Sequence, residues 1–529
     1  MMRPEPESGF FAETVSRRTI LRLLGVGGAS LAAVACTNTD EPASTGPTLV
    51  KKGKFDIPAS GAKLPTGKVT LRWMDSGDAK AYFFKDFFPA YSKKHANIKV
   101  QYDGSNWNNI QQVITLGMRN GSAPDVFQVP PNIPVPEAVK NGWLGVIDDI
   151  VPHWDEVKSR FPAGTFANGV TDFDGKTYGV PFTSNARFNN LLLFNADYTK
   201  KADYDLANKV LSWDELRAVA KKCTKQGNGK YYGIIFGLTQ QGQLSGPVSD
   251  LAQMSGLHGG SDAGNGINSG INWKTGEFNY TDDLNVAAIE LMLAMKSDGS
   301  IFPGSASIDA PGARARMPQG VAAMMFQGPW NIPAWRQDNP SFNLGLNIPP
   351  QQDPKKQIWP LIYGPGGSNT WYISSNTKVG PVIGDIFSYM ASDDGQTQWA
   401  EHDGAGDPPA FADALKKASL DKLQLKALEL GNKYTLIRPD PAVRNPDVSK
   451  AYEAAVPVQP NFSDTLVGLY TGQIKKSVPK AMKDLQDRSN KAMDKAIATA
   501  KQRGAKVSRS DWVFSDWDPA KPYTKLYQK

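Results

Sequence analysis

The stretch VTLRWMDSGDAKAYFFKDFFPAYSKKHANIKVQY, residues 69–102, decides the fold. Val69, Leu71 and Trp73 alternate with polar residues, the period-two pattern of a half-buried strand. Phe83, Phe84, Phe87, Phe88 and Tyr91 then recur at helical spacing, which gathers the rings on one face of a helix. Ile98, Val100 and Tyr102 alternate again. Strand, helix and strand in succession form a βαβ unit, and this predicts an α/β domain built on a parallel sheet.

The same alternation continues outward. Ile110, Val113, Ile114 and Met118 fit a helix, and PDVFQV (124–129) fits a short buried strand. Ser212-Trp213-Asp214-Glu215 matches a capping box that opens the helix carrying Cys223. Residues 282–298 read as a helix, GVAAMMF (320–326) as a buried strand, and 477–504 as a long helix with Ala481, Met482, Leu485, Met493 and Ile497 on its apolar side. No short-period repeat interrupts this pattern. Each predicted strand runs into a turn of polar and aromatic residues: Met74–Asp78, Asp103–Trp107, Pro130–Asn132, Thr183–Asn185 and Gln327–Trp330. Open parallel sheets bind ligands at the carboxyl ends of their strands, so these turns are where a site is expected.

The N-terminus reads differently. Residues 16–36, SRRTILRLLGVGGASLAAVAC, join a basic pair to an apolar run from Leu23 to Ala35. The run is shorter than the roughly 20 residues that cross a bilayer, and its glycines weaken a helix. A basic segment, a short apolar run and small residues describe an export signal. Arg17-Arg18 resembles the twin-arginine motif, and Ala33-Val34-Ala35-Cys36 resembles a lipobox whose Cys36 is lipidated, with Ala33 standing where Leu is usual. The Pro-, Gly-, Ser- and Thr-rich stretch that follows reads as a tether. Residues 1–35 are thus expected to be a signal peptide and 36–67 the lipidated Cys and its flexible tether, holding an exported protein at the outer face of the cell membrane.

Composition narrows the function. The 529 residues carry a formal net charge of +7, dispersed in small clusters such as Lys51-Lys52 and Lys475-Lys476. Nucleic-acid binding wants a concentrated basic stripe, and no nucleic-acid partner is expected. With Cys36 lipidated, Cys223 stands alone on an apolar helix face and reads as a buried, inert thiol. The sequence has no GxxxxGK[ST], HExxH or GxSxG motif, and its four histidines are scattered. Asp148-Asp149, Asp282-Asp283 and Asp393-Asp394 read as solvated faces or helix starts. No catalytic residue, metal or cofactor is expected.

Several segments, taken in order, resemble the extracellular solute-binding proteins of sugar ABC transporters, the maltose-binding-protein-like family 1. They are LRWMDSGDAKAYFFKDFFPAYSKKH with ANIKVQY, GSAPDVFQV with NGWLGVIDD, DGKTYGVPF, LLLFNADYTKKA, LSWDELRAVAKK, GVAAMMFQGPW, and GGSNTWYISSNTK with DGAGDPPAF. The resemblance implies a two-lobed periplasmic-binding-protein-like α/β fold of type II, each lobe a sheet flanked by helices, joined by a hinge of crossing segments. Lobe 1 would take 68–185 and return at 359–409; lobe 2 would take 186–358 and 410–505. A C-terminal extension, 506–529, carries two Trp and two Tyr and is expected to pack back on the body.

The resemblance also implies a monomer that captures a sugar, an oligosaccharide by preference, and delivers it to ABC permease subunits. Sugar faces stack on aromatic rings, and hydroxyls suit Asp, Asn and Arg. Trp330 matches the stacking aromatic. Trp73, Asp75, Gly77 and Asp78 belong to the first turn, Asn106 and Trp107 to the second, and Asn132 to the third, where Trp107 can replace the aromatic that Val129 lacks. Asn185 and Phe188 lie at the first crossing. Gly367, Ser368 and Asn369 lie in the re-entry loop, and Arg438 and Phe462 fall on later stretches. The alternatives are a secreted carbohydrate-active enzyme, a binder of a phosphorylated polyol or peptide, for which Arg187 and Arg438 are the residues to check, and a cell-surface interaction protein with a vestigial cleft.

Overall fold

The computed structural model describes residues 53–130, 133–259, 270–404 and 406–527. Arg17-Arg18, Cys36 and Asn132 lie outside them. In chain order the strands are β1 (Val69–Asp75), β2 (Ile98–Gly104), β3 (Val126–Phe127), β4 (Asp172–Phe173), β5 (Lys176–Thr177), β6 (Gly179–Pro181), β7 (Leu191–Asn195), β8 (Tyr232–Ile234), β9 (Ala322–Gln327), β10 (Leu344–Asn347), β11 (Leu361–Tyr363), β12 (Thr370–Ile373) and β13 (Thr435–Ile437).

These strands build a two-domain α/β fold. The first sheet has the order β2-β1-β3-β12-β6, the second β10-β7-β9-β8, while β11 and β13 pair by themselves and β4 and β5 form a small hairpin. The opening βαβ unit forms as read: β1 pairs with β2 in parallel, Val69 against Ile98 through Asp75 against Gly104, with helix Lys80–Lys94 between them. The parallel expectation fails further on. β12 runs antiparallel to both β3 and β6, and β7 runs antiparallel to both β9 and β10, so both sheets are mixed. The cause is connectivity: β12 enters the first sheet from the second domain rather than through a crossover helix.

Each sheet buries its own core. In the first domain Phe83, Phe84 and Phe87 are fully buried. Phe84 stacks on Phe88 at 5.0 Å and Phe83 on Phe87 at 5.2 Å between ring centroids, the i and i+4 pairs of one helix face. In the second domain the capping box at Ser212 and Glu215 is formed in both directions, and its helix, Trp213–Gly227, buries Leu216, Val219 and Cys223. The helices read at 282–298 and 477–504 are Asp283–Ser297 and Val478–Gln502. The C-terminal extension packs back as expected: Trp512, Phe514 and Trp517 lie in the second domain's core. Among the described residues no helix is long and apolar enough to cross a membrane, and no cluster of three or more His, Cys, Asp or Glu could hold a metal ion.

Candidate functional site

The turns after β1 and β2 sit side by side because both carry glycine. Gly77 is left-handed, at φ 63°, and a Cβ on it would lie 3.2 Å from the Gly104 backbone. The close approach lets the Ser105 amide donate to the Asp75 carbonyl at 2.9 Å. Asp75 is the anchor of this arrangement. Its side chain is fully buried and accepts from Tyr102 Oη (2.8 Å), the Gly77 amide (2.8 Å) and the indole nitrogens of Trp73 (3.2 Å) and Trp371 (3.4 Å). Burial pushes its pKa up, against the opposing pull of Lys80 and these hydrogen bonds. Asp75 therefore shapes the turn and presents no atom to a ligand. Trp73, 1% exposed and packed on Phe84 and Phe88, likewise belongs to the core rather than to a surface that a sugar could reach.

Three residues on, the same turn projects outward. Asp78 takes a left-handed backbone, φ 58°, and meets Arg314 at 2.5 Å. Arg314 comes from the other domain, on the helix Ala310–Arg316. Between them lies a cavity of about 290 Å³ lined by Ser76, Asp78, Ser105, Asn106, Trp107 and Arg314, with Gly104, Gln240 and Pro311 completing its wall. Asn106 is the N-cap of the helix Trp107–Asn120: its side chain accepts from the Asn109 amide at 2.9 Å, which fixes Trp107 in the first turn, half-buried at the cavity.

A buried polar chain runs inward from this cavity. Gln128 accepts from the Ser76 amide at 2.9 Å and donates to Asn369 at 2.9 Å; Asn369 donates to Asp407 at 2.7 Å. Asp407 also pairs with Arg187 and, at 3.7 Å, with Lys80. Burial alone would raise the Asp407 pKa, but Arg187 and Lys80 outweigh it and hold the carboxyl below its ordinary value. Its neighbour Asp403 accepts from the Asp407 amide at 2.6 Å and is pushed well up, first by burial and then by the Asp407 charge. The guanidinium of Arg187 lies 4.8 Å from the Trp330 ring centroid, so one face of the proposed stacking aromatic is covered by a cation.

The remaining candidates divide. Asn185 donates to the Gly364 carbonyl at 3.2 Å and Ser368 bonds Thr183 at 2.9 Å, tying the first crossing to the re-entry loop. Gly367 fits there because a Cβ would lie 2.3 Å from the Thr183 carbonyl oxygen. Phe188 (1% exposed) and Phe462 (5%) fill the second domain's core. Arg438 is buried, pairs with Asp440 at 3.1 Å and lies 4.1 Å from the Trp273 ring centroid, away from the cavity wall. Sequence reasoning missed Gln240, Pro311 and Arg314. Gln240 lies in the loop after β8, where the strand-end rule, applied once more, reaches it. Arg314 gives no such signal.

Two mixed sheets, each with its own core, and a polar cavity walled by both domains define a two-domain solute-binding architecture. Solved structures share it: an ABC transporter solute-binding protein from Thermotoga lettingae, bound with α-D-tagatose, superposes with a TM-score of 0.61 at 18% identity, covering 81% of this chain and 100% of that one. The GacH receptor of Streptomyces glaucescens, solved unliganded and with acarbose, gives 0.59 at 17% identity, covering 81% of this chain and 99% of the receptor. The family described as bacterial extracellular solute-binding protein matches residues 87–427, and the chain belongs to it. Curated relatives are more distant. A Brucella abortus protein is 24% identical over 292 residues, 55% of this chain and 65% of that protein. An uncharacterized lipoprotein of Streptomyces antibioticus is 27% identical over 201 residues, 37% of this chain and 40% of the lipoprotein. The chain thus matches less than two thirds of these relatives' length.

Proposed function

We propose that this protein captures a neutral sugar, an oligosaccharide by preference, in the cavity between its domains and delivers it to the permease subunits of an ABC importer. The cavity carries this reading: Trp107 offers an aromatic face, and Asn106, Ser105, Ser76, Gln240, Asp78 and Arg314 offer donors and acceptors from both domains. Such a wall suits hydroxyls, and it rewards closure because each domain supplies only part of it. The fold neighbours solved with tagatose and with acarbose support a sugar. In the same reading the site extends toward Trp330, Asn185 and Asn369, the lobes follow the boundaries given by the family resemblance, and Arg17-Arg18 with Cys36 export a monomer and anchor it to the outer face of the cell membrane. The lipoprotein of Streptomyces antibioticus supports the anchor.

The cations argue against a phosphorylated ligand. Arg187, Arg314 and Arg438 are each paired with an aspartate, so a phosphate would have to displace a carboxylate to gain a partner. Hydrolysis is disfavoured for a related reason: among the described residues lining the cavity, Asp78 is the single carboxylate, and glycosidases use two.

A thermal-shift screen of residues 37–529 against neutral mono- and oligosaccharides, with phosphorylated polyols and short peptides as controls, tests the proposal. A rise in Tm with a neutral sugar class, lost in Trp107→Ala, is the expected result. A rise only with a phosphorylated or peptide ligand overturns the sugar assignment.

A further inference from the structure

The C-terminal extension does more than cover a core. The strands change sheet twice, from β6 to β7 and from β10 to β12, and β11 lies on the second of these passages, after β10 of the second sheet and before β12 of the first. β11 pairs in parallel with β13 alone, Leu361 against Thr435 through Tyr363 against Ile437, and the Arg438 amide extends the ladder to the Tyr363 carbonyl at 2.9 Å. A two-stranded ribbon is marginal by itself and needs something packed on it.

The extension supplies that support at successive points. Trp517 and Pro519 line a crevice with Trp359, Pro360 and Ile362, at the start of β11. The Tyr523 amide donates to the Ile437 carbonyl at 2.9 Å, at the end of β13. Tyr527 donates its hydroxyl to the Arg438 carbonyl at 2.8 Å, is 7% exposed, and lies against Gly164, where a Cβ would stand 3.4 Å from its ring. Gly164 belongs to the segment preceding β4, and its carbonyl accepts from the Gly366 amide of the re-entry loop at 2.8 Å. The extension is itself held to the second domain: Arg444 donates to the Val513 and Ser510 carbonyls at 2.9 Å each, and the Phe514 amide donates to the Trp273 carbonyl at 2.8 Å. One end is thus fixed to one domain while the other end lies along the ribbon and touches the segment around Gly164.

We infer that residues 517–527 are a brace that stiffens the crossing ribbon β11/β13 and so restrains the movement of one domain relative to the other. The inference rests on the two-domain reading but not on the identity of the ligand. Hydrogen exchange in ligand-free protein tests it directly, comparing the full chain with Tyr527→Ala and with a truncation after Asp518 that keeps Trp512, Phe514 and Trp517 in place. Amides of 361–363 and 435–438 are expected to exchange about tenfold faster in both variants, with the helix Asp283–Ser297 unchanged. Unchanged exchange in the ribbon overturns the brace. A uniform acceleration across the chain overturns it too, since the segment would then be one more piece of the core. Tyr527→Phe, which keeps the ring, is expected to show a smaller and equally local acceleration. A failed sugar screen with a locally loosened ribbon would sink the proposed ligand and leave the brace standing.

Discussion

The turn after β1 and the turn after β9 end strands in the interior of their sheets, and each offers a residue suited to a sugar. They use it in opposite ways. The first turn buries Asp75 under four donors, and this fixed base lets Asp78 reach the cavity. The second turn leaves Trp330 half-buried and folded over its own loop: a Cβ on Gly328 would lie 2.0 Å from its ring, Gly406 packs on its backbone, and Arg187 covers one face. Within the first turn, an aspartate is therefore scaffold or cavity wall according to whether burial surrounds it with donors.

The largest test of that contrast is Asp75→Ala. It strands the Tyr102 hydroxyl, the Trp73 indole and the Gly77 amide, and it should cost at least about 3 kcal/mol in urea unfolding. A cost below about 1 kcal/mol would break the comparison, because Asp75 would then be no more structural than a surface acid. Next comes Arg187→Met. Removing one cation from buried Asp407 is expected to cost about 2 kcal/mol, less than the loss of a sole partner because Lys80 remains. The same variant should change the emission of Trp330, whose ring it uncovers.

Asp250 sharpens the point about compensation. Asp407 has two cations and stays below its ordinary pKa; Asp250, half-buried, accepts from Asn190 at 2.9 Å, and burial pushes it from 3.8 up to about 7. A raised carboxyl pKa means the folded state holds a proton that the unfolded chain releases. Its contribution to stability is full below about pH 4 and is lost as pH rises through 7. In Asp250→Asn the fall in Tm between about pH 5 and 8 should shrink, and the variant should melt higher than the parent at pH 8. An unchanged pH profile would show that Asp250 is solvated in the folded state.

The divisions that periodicity carries were readable from residues alone. The aromatic face at Phe83–Tyr91, the capping box at Ser212 and the apolar side of 477–504 all follow from local spacing, and the structure has them. Strand direction was not readable, because β12 and β7 owe theirs to where the chain comes from. The candidate site was readable at one wall. Asp78, Asn106 and Trp107 follow strands whose ends are visible in the sequence, but Arg314 reaches the cavity only through the packing of the second domain, 236 residues away from its partner. Asp75 and Asp78 look alike as letters, and what separates them is the set of donors that burial assembles around the first.

That separation gives the smallest expected effect on stability and the most informative one. The side chains of Asp78 and Arg314 are 27% and 15% exposed, so solvent screens their pairing, and Asp78→Asn should cost no more than about 1 kcal/mol. Asparagine tolerates the left-handed backbone at this position, which keeps the turn intact. If Asp78 contacts the ligand, affinity for the sugar found in the screen should fall in Asp78→Asn and Arg314→Gln while Tm in its absence stays within a few degrees of the parent. If the two residues serve only each other, the double variant should bind as the parent does, and the contacting role would pass to Asn106 and Trp107 alone. Isothermal titration of the two single variants and the double variant separates these outcomes, because a shared ligand makes their effects non-additive.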